Sequence, residues 1–270
     1  FHDLIYEKYP EQFNWLDLKM YKWKYRMSAK RSDHIVAISR STKDDLVALY
    51  EIPTEKISVV YQSCNEVFQI DDVQDFTPDG VLKKQSPYYL YVGSIIERKG
   101  LLQTVIAYAG LPQTYRKPFI IVGGGDKDYI KKVKDLIKYY QLEPDFHFIS
   151  GIPNQELVTL YDHCYALVYP SVYEGFGIPI IECLFRGKPV ITSDISSMPE
   201  AAGNGALLIN PFSPESISNA MIHLHDEKTY KNLTTQGWQH VVSHFSSDIT
   251  ANEMMDLYHN SILQKNLVDY

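Results

Sequence analysis

Apolar residues along the chain fall into short runs separated by longer amphipathic stretches. The run at 34–38 (His34-Ile35-Val36-Ala37-Ile38) is bounded by polar residues and suits a buried parallel strand. Ser39, Arg40, Ser41 and Thr42 follow, offering N-cap hydroxyls to a helix over 43–50 with Asp44 and Asp45 at its positive end. Pro53 stops that helix, and 56–61 is the next apolar run; strand, helix, strand is one βαβ unit. Further strands are predicted at 89–92, 119–122, 146–149, 166–169, 189–192 and 206–209, with helices in most intervals. Six strands spaced by helices of about 10–15 residues imply a parallel sheet covered on both faces. Residues 1–30, rich in aromatics and lysine, read as loop followed by helix, and the tail from Pro214 is helical in pattern over 214–225, 228–244 and 248–267.

Between 65 and 87 the pattern lapses: Asp71, Asp72, Asp75, Pro78, Gly80 and Pro87 sit among few aliphatics, which reads as a linker. It divides the two early strands in 1–64 from the six later ones in 88–247, and only the later set makes a complete doubly wound domain. A length of 270 residues fits one large or two modest domains. Apolar residues at 45% and charged residues at 22% exclude disordered, collagenous and membrane-dominated classes. A formal charge of -7, with no run of basic residues, argues against a nucleic-acid partner, while a few oriented cations could still hold a small anion. Cys64, Cys164 and Cys183 form no C-x-x-C pair, so reduced, buried thiols of a cytoplasmic protein are expected. Phe1 to Ile5 is not a signal peptide and reads like the end of a strand entering a loop, as though the chain began within a fold. No segment approaches the roughly 18 consecutive apolar residues of a membrane span.

The richest stretch for chemistry is 169–183, Tyr-Pro-Ser-Val-Tyr-Glu-Gly-Phe-Gly-Ile-Pro-Ile-Ile-Glu-Cys. A buried strand runs into a loop bracketed by Gly175 and Gly177, and a helix starts beside Pro179. Such a helix start aims unpaired N–H groups into the crevice at the carboxyl end of a parallel sheet, where an anion is welcome. Glu174 has no evident local partner, and Glu182 lies where the helix dipole favours a carboxylate; together they suit a ligand rich in hydroxyls. A second strand end, 91–100, carries Gly93, Ser94, Arg98 and Lys99, a cation pair able to neutralise a diphosphate or merely a solvated charged turn. The third, Gly123-Gly124-Gly125-Asp126, lacks the full G-x-G-x-x-G spacing and fits either close approach to a nucleotide or a plain tight turn. Neither a P-loop nor a nucleophile elbow occurs. Asp126-Lys127-Asp128 and His223-Leu224-His225 have metal-ligand spacing, but helix-opening acids and a surface helix explain them better.

Taken in this order, the blocks resemble the retaining GT-B glycosyltransferases of the family-4 type. Glu174 to Glu182 resembles the family's E-x7-E motif, Gly93 to Gly100 its phosphate loop, and Gly123 to Asp126 its glycine turn. Gly187 to Ser193, Met198 to Gly203 and Leu207 to Pro211 resemble its "G-x-P-V", "L-P-E-x-x-G" and following strand blocks. The resemblance implies a complete C-terminal Rossmann-like domain, preceded by the last part of an N-terminal one, with 248–270 crossing back to it. It assigns Arg98 and Lys99 to a donor diphosphate, Glu182 to the donor ribose, and Glu174 with the backbone of Gly175, Phe176 and Gly177 to the transferred sugar. Gly93, Ser94, Gly123, Gly124, Ile152 and Ile178 complete the donor surface, and His2 resembles the family's active-site histidine. Many relatives carry Arg where Ser94 stands, which shifts weight onto Arg98.

The implied reaction moves a hexosyl unit from a GDP- or UDP-sugar, GDP-mannose among them, to a glycan or lipid-linked acceptor with retention of configuration. The cations and the helix start would stabilise the leaving diphosphate, so no metal or other cofactor is expected. A glycosidase could use two carboxylates about 5–9 Å apart, but would leave Arg98 and Lys99 without a task. The alternative is a catalytically silent nucleotide-sugar-binding fragment lacking most of the acceptor domain. Residues 19–30, basic and aromatic, could lie against an anionic membrane at the inner face or pack as an ordinary helix.

Overall fold

A computed structural model describes residues 1–70 and 87–268, with side chains as far as 260. The predicted linker therefore falls mostly on 71–86, outside the described residues. The first unit comprises α1 (Ile5–Lys8), a 3-10 turn at Pro10–Gln12, α2 (Trp15–Arg31), β1 (Ile35–Ala37), α3 (Arg40–Tyr50) and β2 (Ile57–Val59). The two strands pair in parallel, Ile35 opposite Ile57, as the βαβ pattern predicts. Phe1 adds a further rung beside β1: its ammonium donates to the Val36 carbonyl at 2.6 Å, and its own carbonyl accepts from Ile38 N–H. Helix α3 begins three residues earlier than predicted because Ser39, not a later hydroxyl, is the cap, its Oγ accepting from Thr42 N–H at 2.9 Å. Leu4, Tyr6, Ala29, Leu46 and Tyr50 close over both strands as a small separate core.

The second unit contains β3 (Tyr88–Val92), α4 (Leu101–Ala109), β4 (Phe119–Val122), α5 (Lys127–Tyr139), β5 (Phe146–Ile149), α6 (Asn154–His163), β6 (Cys164–Tyr169), α7 (Ile178–Phe185), β7 (Val190–Ser193), α8 (Met198–Ala202), β8 (Ala206–Ile209), α9 (Pro214–His223), α10 (Glu227–His244) and α11 (Ser247–Val268). All six strands are parallel, in the order β5-β4-β3-β6-β7-β8. Strands buried on both faces explain why their sequences are nearly continuous apolar runs: along β3, Tyr89 and Tyr91 enter one core while Tyr88, Leu90 and Val92 enter the other. Helices α4, α5 and α9 cover the first face, and α6, α7 and α8 the second.

The order turns back between β3 and β6, first and fourth strands of the sheet in sequence. That is the topological switch point, where diverging loops open a crevice outside the carboxyl ends. Both strands run into the loops that the sequence singled out.

The two units touch on the second face. Residues 65–70 include a 3-10 turn at Glu66–Phe68, and Phe68 packs edge-on against Tyr161 at 5.8 Å within the second core. The start of α11 returns to this place: Gln69 Nε2 donates to Ser247 Oγ at 2.9 Å, and Ser63 Oγ lies at 3.5 Å from the same oxygen.

Candidate active site

Loop 93–100 leaves β3, makes a 3-10 turn at Glu97–Lys99 and enters α4. Gly100, with φ +71°, lets this loop press against Pro170, where a Cβ would collide with the Pro170 carbonyl. That contact carries Arg98 and Lys99 under the loop after β6, and both are buried, 9% and 8% exposed, so the solvated-turn reading is set aside. Their common partner is Glu174. Lys99 Nζ lies 2.5 Å and Arg98 Nη1 3.0 Å from Glu174 Oε1, which also accepts from Ser171 Oγ at 2.5 Å. The expectation that Glu174 lacks a local partner is thus corrected: Ser171, three residues earlier, supplies one.

Burial alone would raise the Glu174 carboxyl, but Lys99, Arg98 and the hydrogen bonds hold it below the usual carboxylate range. Burial lowers the Lys99 ammonium, with Glu174 opposing. Lys99 also donates to Tyr169 Oη at 2.6 Å, and Arg98 donates to the Tyr173 carbonyl. Arg98 Nε, buried, has no hydrogen-bond partner among the described residues. An orphaned donor in a crevice calls for an acceptor that the protein does not provide.

Glu182 stands apart from this cluster, on the side of α7 facing α6. It is 9% exposed and accepts from Tyr161 Oη at 2.8 Å. Burial pushes its pKa up to about 7, with the tyrosine hydrogen bond opposing. It is poised to change charge near neutrality. Helix α7 starts at Gly177, φ +116°, with Pro179 in the first turn as predicted. Gly93 lies at the mouth of the crevice beside Lys99 and Tyr169, and Ser94 is exposed, its carbonyl accepting from Tyr91 Oη at 2.9 Å. Ile152 is partly buried against the second core, and Phe176 is buried beside Tyr61 and Phe245.

The glycine turn has a purpose internal to the fold. A Cβ on Gly123, φ +149°, would run into the Gly93 carbonyl, and one on Gly125 into that of Ile95. Ile95 N–H donates to the Gly124 carbonyl at 2.8 Å, so these glycines let two strand-end loops zip together. Gly124 faces open space. Asp126 caps α5, accepting from Tyr129 N–H at 2.7 Å.

His2 reaches the site through its backbone. A Cβ on Gly175 would collide with the His2 carbonyl, and Thr42 Oγ1 lies 3.3 Å from both the His2 and Gly175 carbonyls. The His2 ring is exposed, 3.2 Å from Gln62 Nε2. Tyr173 strengthens the join: its hydroxyl donates to Asp45 Oδ2 at 2.8 Å and accepts from Leu4 N–H at 3.2 Å. The Glu174 loop is braced from the turn between β7 and α8: Ser196 Oγ accepts from Glu174 N–H, and Ser197 Oγ donates to the Glu174 and Phe176 carbonyls. Sequence reasoning missed Ser171, Tyr169, Tyr173, Ser196 and Ser197. Only Ser171 left a short-range signal.

A six-stranded doubly wound domain with a buried cation pair on one carboxylate at its switch point defines the class: an α/β protein of the GT-B architecture. The profile described as "Glycosyl transferases group 1" matches residues 72–240, and that described as "Glycosyltransferase Family 4" matches residues 1–65. The chain belongs to the group 1 glycosyltransferase family. It is 32% identical to the O-antigen chain mannosyltransferase RfbU of Salmonella typhimurium over 220 residues, covering 82% of this chain and 58% of that protein. With the O-antigen chain mannosyltransferase B of Escherichia coli it shares 25% identity over 240 residues, 87% of this chain and 62% of the relative. The chain thus spans about three-fifths of the length of these relatives. Among solved structures, the Anabaena protein Alr3699/HepE in complex with UDP and glucose superposes with a TM-score of 0.80 at 17% identity, over 96% of this chain and 70% of that one.

Proposed function

We propose that the chain is the donor-binding part of a metal-independent, retaining hexosyltransferase that uses a nucleoside diphosphate sugar and extends a glycan or lipid-linked acceptor. The observation that carries this is the buried pair Arg98–Lys99 at the switch point, with Arg98 Nε unpartnered. Two desolvated cations beside a single carboxylate leave a surplus positive charge, which a diphosphate would balance. Relatives named as O-antigen chain mannosyltransferases favour GDP-mannose and a polysaccharide acceptor.

In this reading the diphosphate lies between Lys99, Arg98 and the start of α7, and Glu182 accepts hydrogen bonds from the ribose. Glu174 turns from the cations toward the hexose, while His2 and Asp3 border the acceptor. As the sugar–phosphate bond breaks, charge on the leaving diphosphate grows against groups already held in place, so little reorganisation is needed. The acceptor hydroxyl attacks the same face and passes its proton to the departing phosphate oxygen, which preserves configuration. Calorimetry with a panel of GDP- and UDP-sugars, followed by hexosyl transfer assayed in EDTA, tests the proposal. Absence of binding to every member would refute it, and binding without turnover by this chain or a longer one would leave a silent binding module.

A membrane-surface location is proposed from α2. Among the described residues no helix is long and apolar enough to cross a membrane. Leu16, Met20 and Trp23 form a stripe at i, i+4 and i+7, exposed at 60%, 54% and 69%, with Trp15 beside them. Lys19, Lys24 and Lys30 flank this stripe, while Arg26 turns to Glu7 and the Tyr50 ring and Tyr21 and Tyr25 of the opposite face pack against Tyr6. Cosedimentation with anionic but not neutral vesicles, lost in Trp23→Ser, is expected; equal recovery with both would overturn it.

A further inference from the structure

We propose that Glu200 is a positioning residue that ties the first unit of the chain to the loop carrying Glu174. Glu200 lies in α8, within the Met198 to Gly203 block whose acid no other reading uses. Its carboxylate leaves its own domain: Oε2 accepts from Arg40 N–H at 2.7 Å, Oε1 from Ser41 N–H at 2.8 Å, and Tyr61 Oη donates to Oε2 at 3.2 Å. Arg40 and Ser41 open α3, and Ser39 already satisfies Thr42 N–H. A residue 160 positions away therefore completes the cap, where unpaired N–H groups and the helix dipole both favour an anion.

The other end of the tie is equally fixed. The Glu200 carbonyl lies 3.1 Å from His240 Nε2, and Gly203 is pressed against the same imidazole, so α8 is seated on α10. Just before α8, Ser196 and Ser197 hold the backbone of Glu174 and Phe176. The segment 196–200 thus grips the first unit with one side chain and the Glu174 loop with two others. Thr42, next to the capped residues, closes the ring through its contacts with the His2 and Gly175 carbonyls. Removing the Glu200 carboxylate leaves α3 held to the Glu174 loop by Thr42 and by the Tyr173–Asp45 bond alone, which loosens the spacing between His2 and Glu174.

The kinetic part rests on the hexosyltransferase reading; the structural part does not. Spin labels at Asp44→Cys in α3 and Asn204→Cys after α8 occupy exposed positions, and the three native thiols are buried. Electron–electron resonance should give one narrow distance in the doubly labelled parent, and a broadened or shifted distribution once Glu200→Ala is added. In the enzyme, the same substitution should lower kcat about 10- to 100-fold while donor affinity stays within about twofold. A merely structural residue would lower the melting temperature without separating kcat from affinity. Should Glu200→Ala fail to fold, Glu200→Gln, which keeps the volume and one acceptor, and Tyr61→Phe carry the test with smaller expected broadening. An unchanged distance distribution overturns the proposal. A parent that transfers no sugar overturns the hexosyltransferase reading instead, while the distances still decide the tie.

Discussion

Glu182 gives the sharpest test, because its charge changes where experiments are usually done. Burial raises its pKa from 4.5 to about 7, a shift that costs the folded protein about 3 kcal/mol once the group is ionised. The sign follows from proton binding. Between pH 4.5 and 7 the folded state holds the proton that the unfolded state has lost, so this contribution to stability falls as pH rises through that window and is level above it. Glu182→Gln keeps the volume and removes the charge, so its melting temperature should exceed the parent's at pH 8 and match it near pH 4.5. If the ionised form is what accepts the ribose hydroxyls, about one-tenth of the protein is competent at pH 6 and about nine-tenths at pH 8. Donor affinity should then rise about tenfold over that interval. A nucleoside diphosphate sugar is the right titrant, since its diester diphosphate does not titrate there. Calorimetry at pH 7 in buffers of different ionisation enthalpy should register proton release on binding, absent in Glu182→Gln. Affinity independent of pH, or proton release that survives the substitution, would refute the assignment of Glu182 to the ribose.

Lys99→Met leaves Glu174 paired with Arg98 and removes the surplus positive charge; we expect donor binding to be lost by calorimetry while denaturant unfolding falls by only about 1–3 kcal/mol, for the hydrogen bonds to Glu174 and Tyr169, and retained donor affinity would contradict the assignment of Lys99 to the diphosphate. Glu174→Ala frees both cations, so donor affinity should hold or tighten while the transfer rate drops; a parallel fall in affinity would assign Glu174 to binding instead. Gly123→Ala must move the Gly93 loop or strain a φ of +149°, so a loss of about 2 kcal/mol or more is expected by thermal unfolding.

The sheet was largely legible because parallel strands buried on both faces leave uninterrupted apolar runs. The predicted ranges 119–122, 146–149 and 206–209 coincide with β4, β5 and β8. Strand β6 begins two residues earlier than predicted, at Cys164, because α6 runs directly into it with no polar spacer. At the site, residue types at strand ends were readable, since chemistry there depends on local motifs. Partnerships were not. That Arg98 and Lys99 are buried follows from Gly100 meeting Pro170, a contact between positions far apart in sequence. The glycine turn was readable as a turn, yet its reason, the zipped contact with Gly93 and Ile95, needed the β3–β4 register. Glu200 carried no local sign of its role because its partners, the Arg40 and Ser41 amides and the Tyr61 hydroxyl, lie at least 139 positions away.

On the hexosyltransferase reading, the resting arrangement also bears on how a nucleoside diphosphate sugar would bind. Lys99, Arg98 and Glu174 meet in a space that excludes most water, so none of them can afford to lose its partner before a replacement arrives. With Glu174 in place the cluster is balanced except for one positive charge, and the site survives empty. An incoming diphosphate would supply more negative charge than Glu174 does, and would displace the carboxylate from the cations while leaving them neutralised. The displaced Glu174 then needs new donors, and the hydroxyls of a hexose held at the same loop are the nearest groups of that kind. A nucleoside diphosphate alone would free Glu174 without rehousing it. On this argument the sugar-bearing donor should bind more tightly than its diphosphate product, and Glu174→Ala should erase the difference, a comparison that two calorimetric titrations settle.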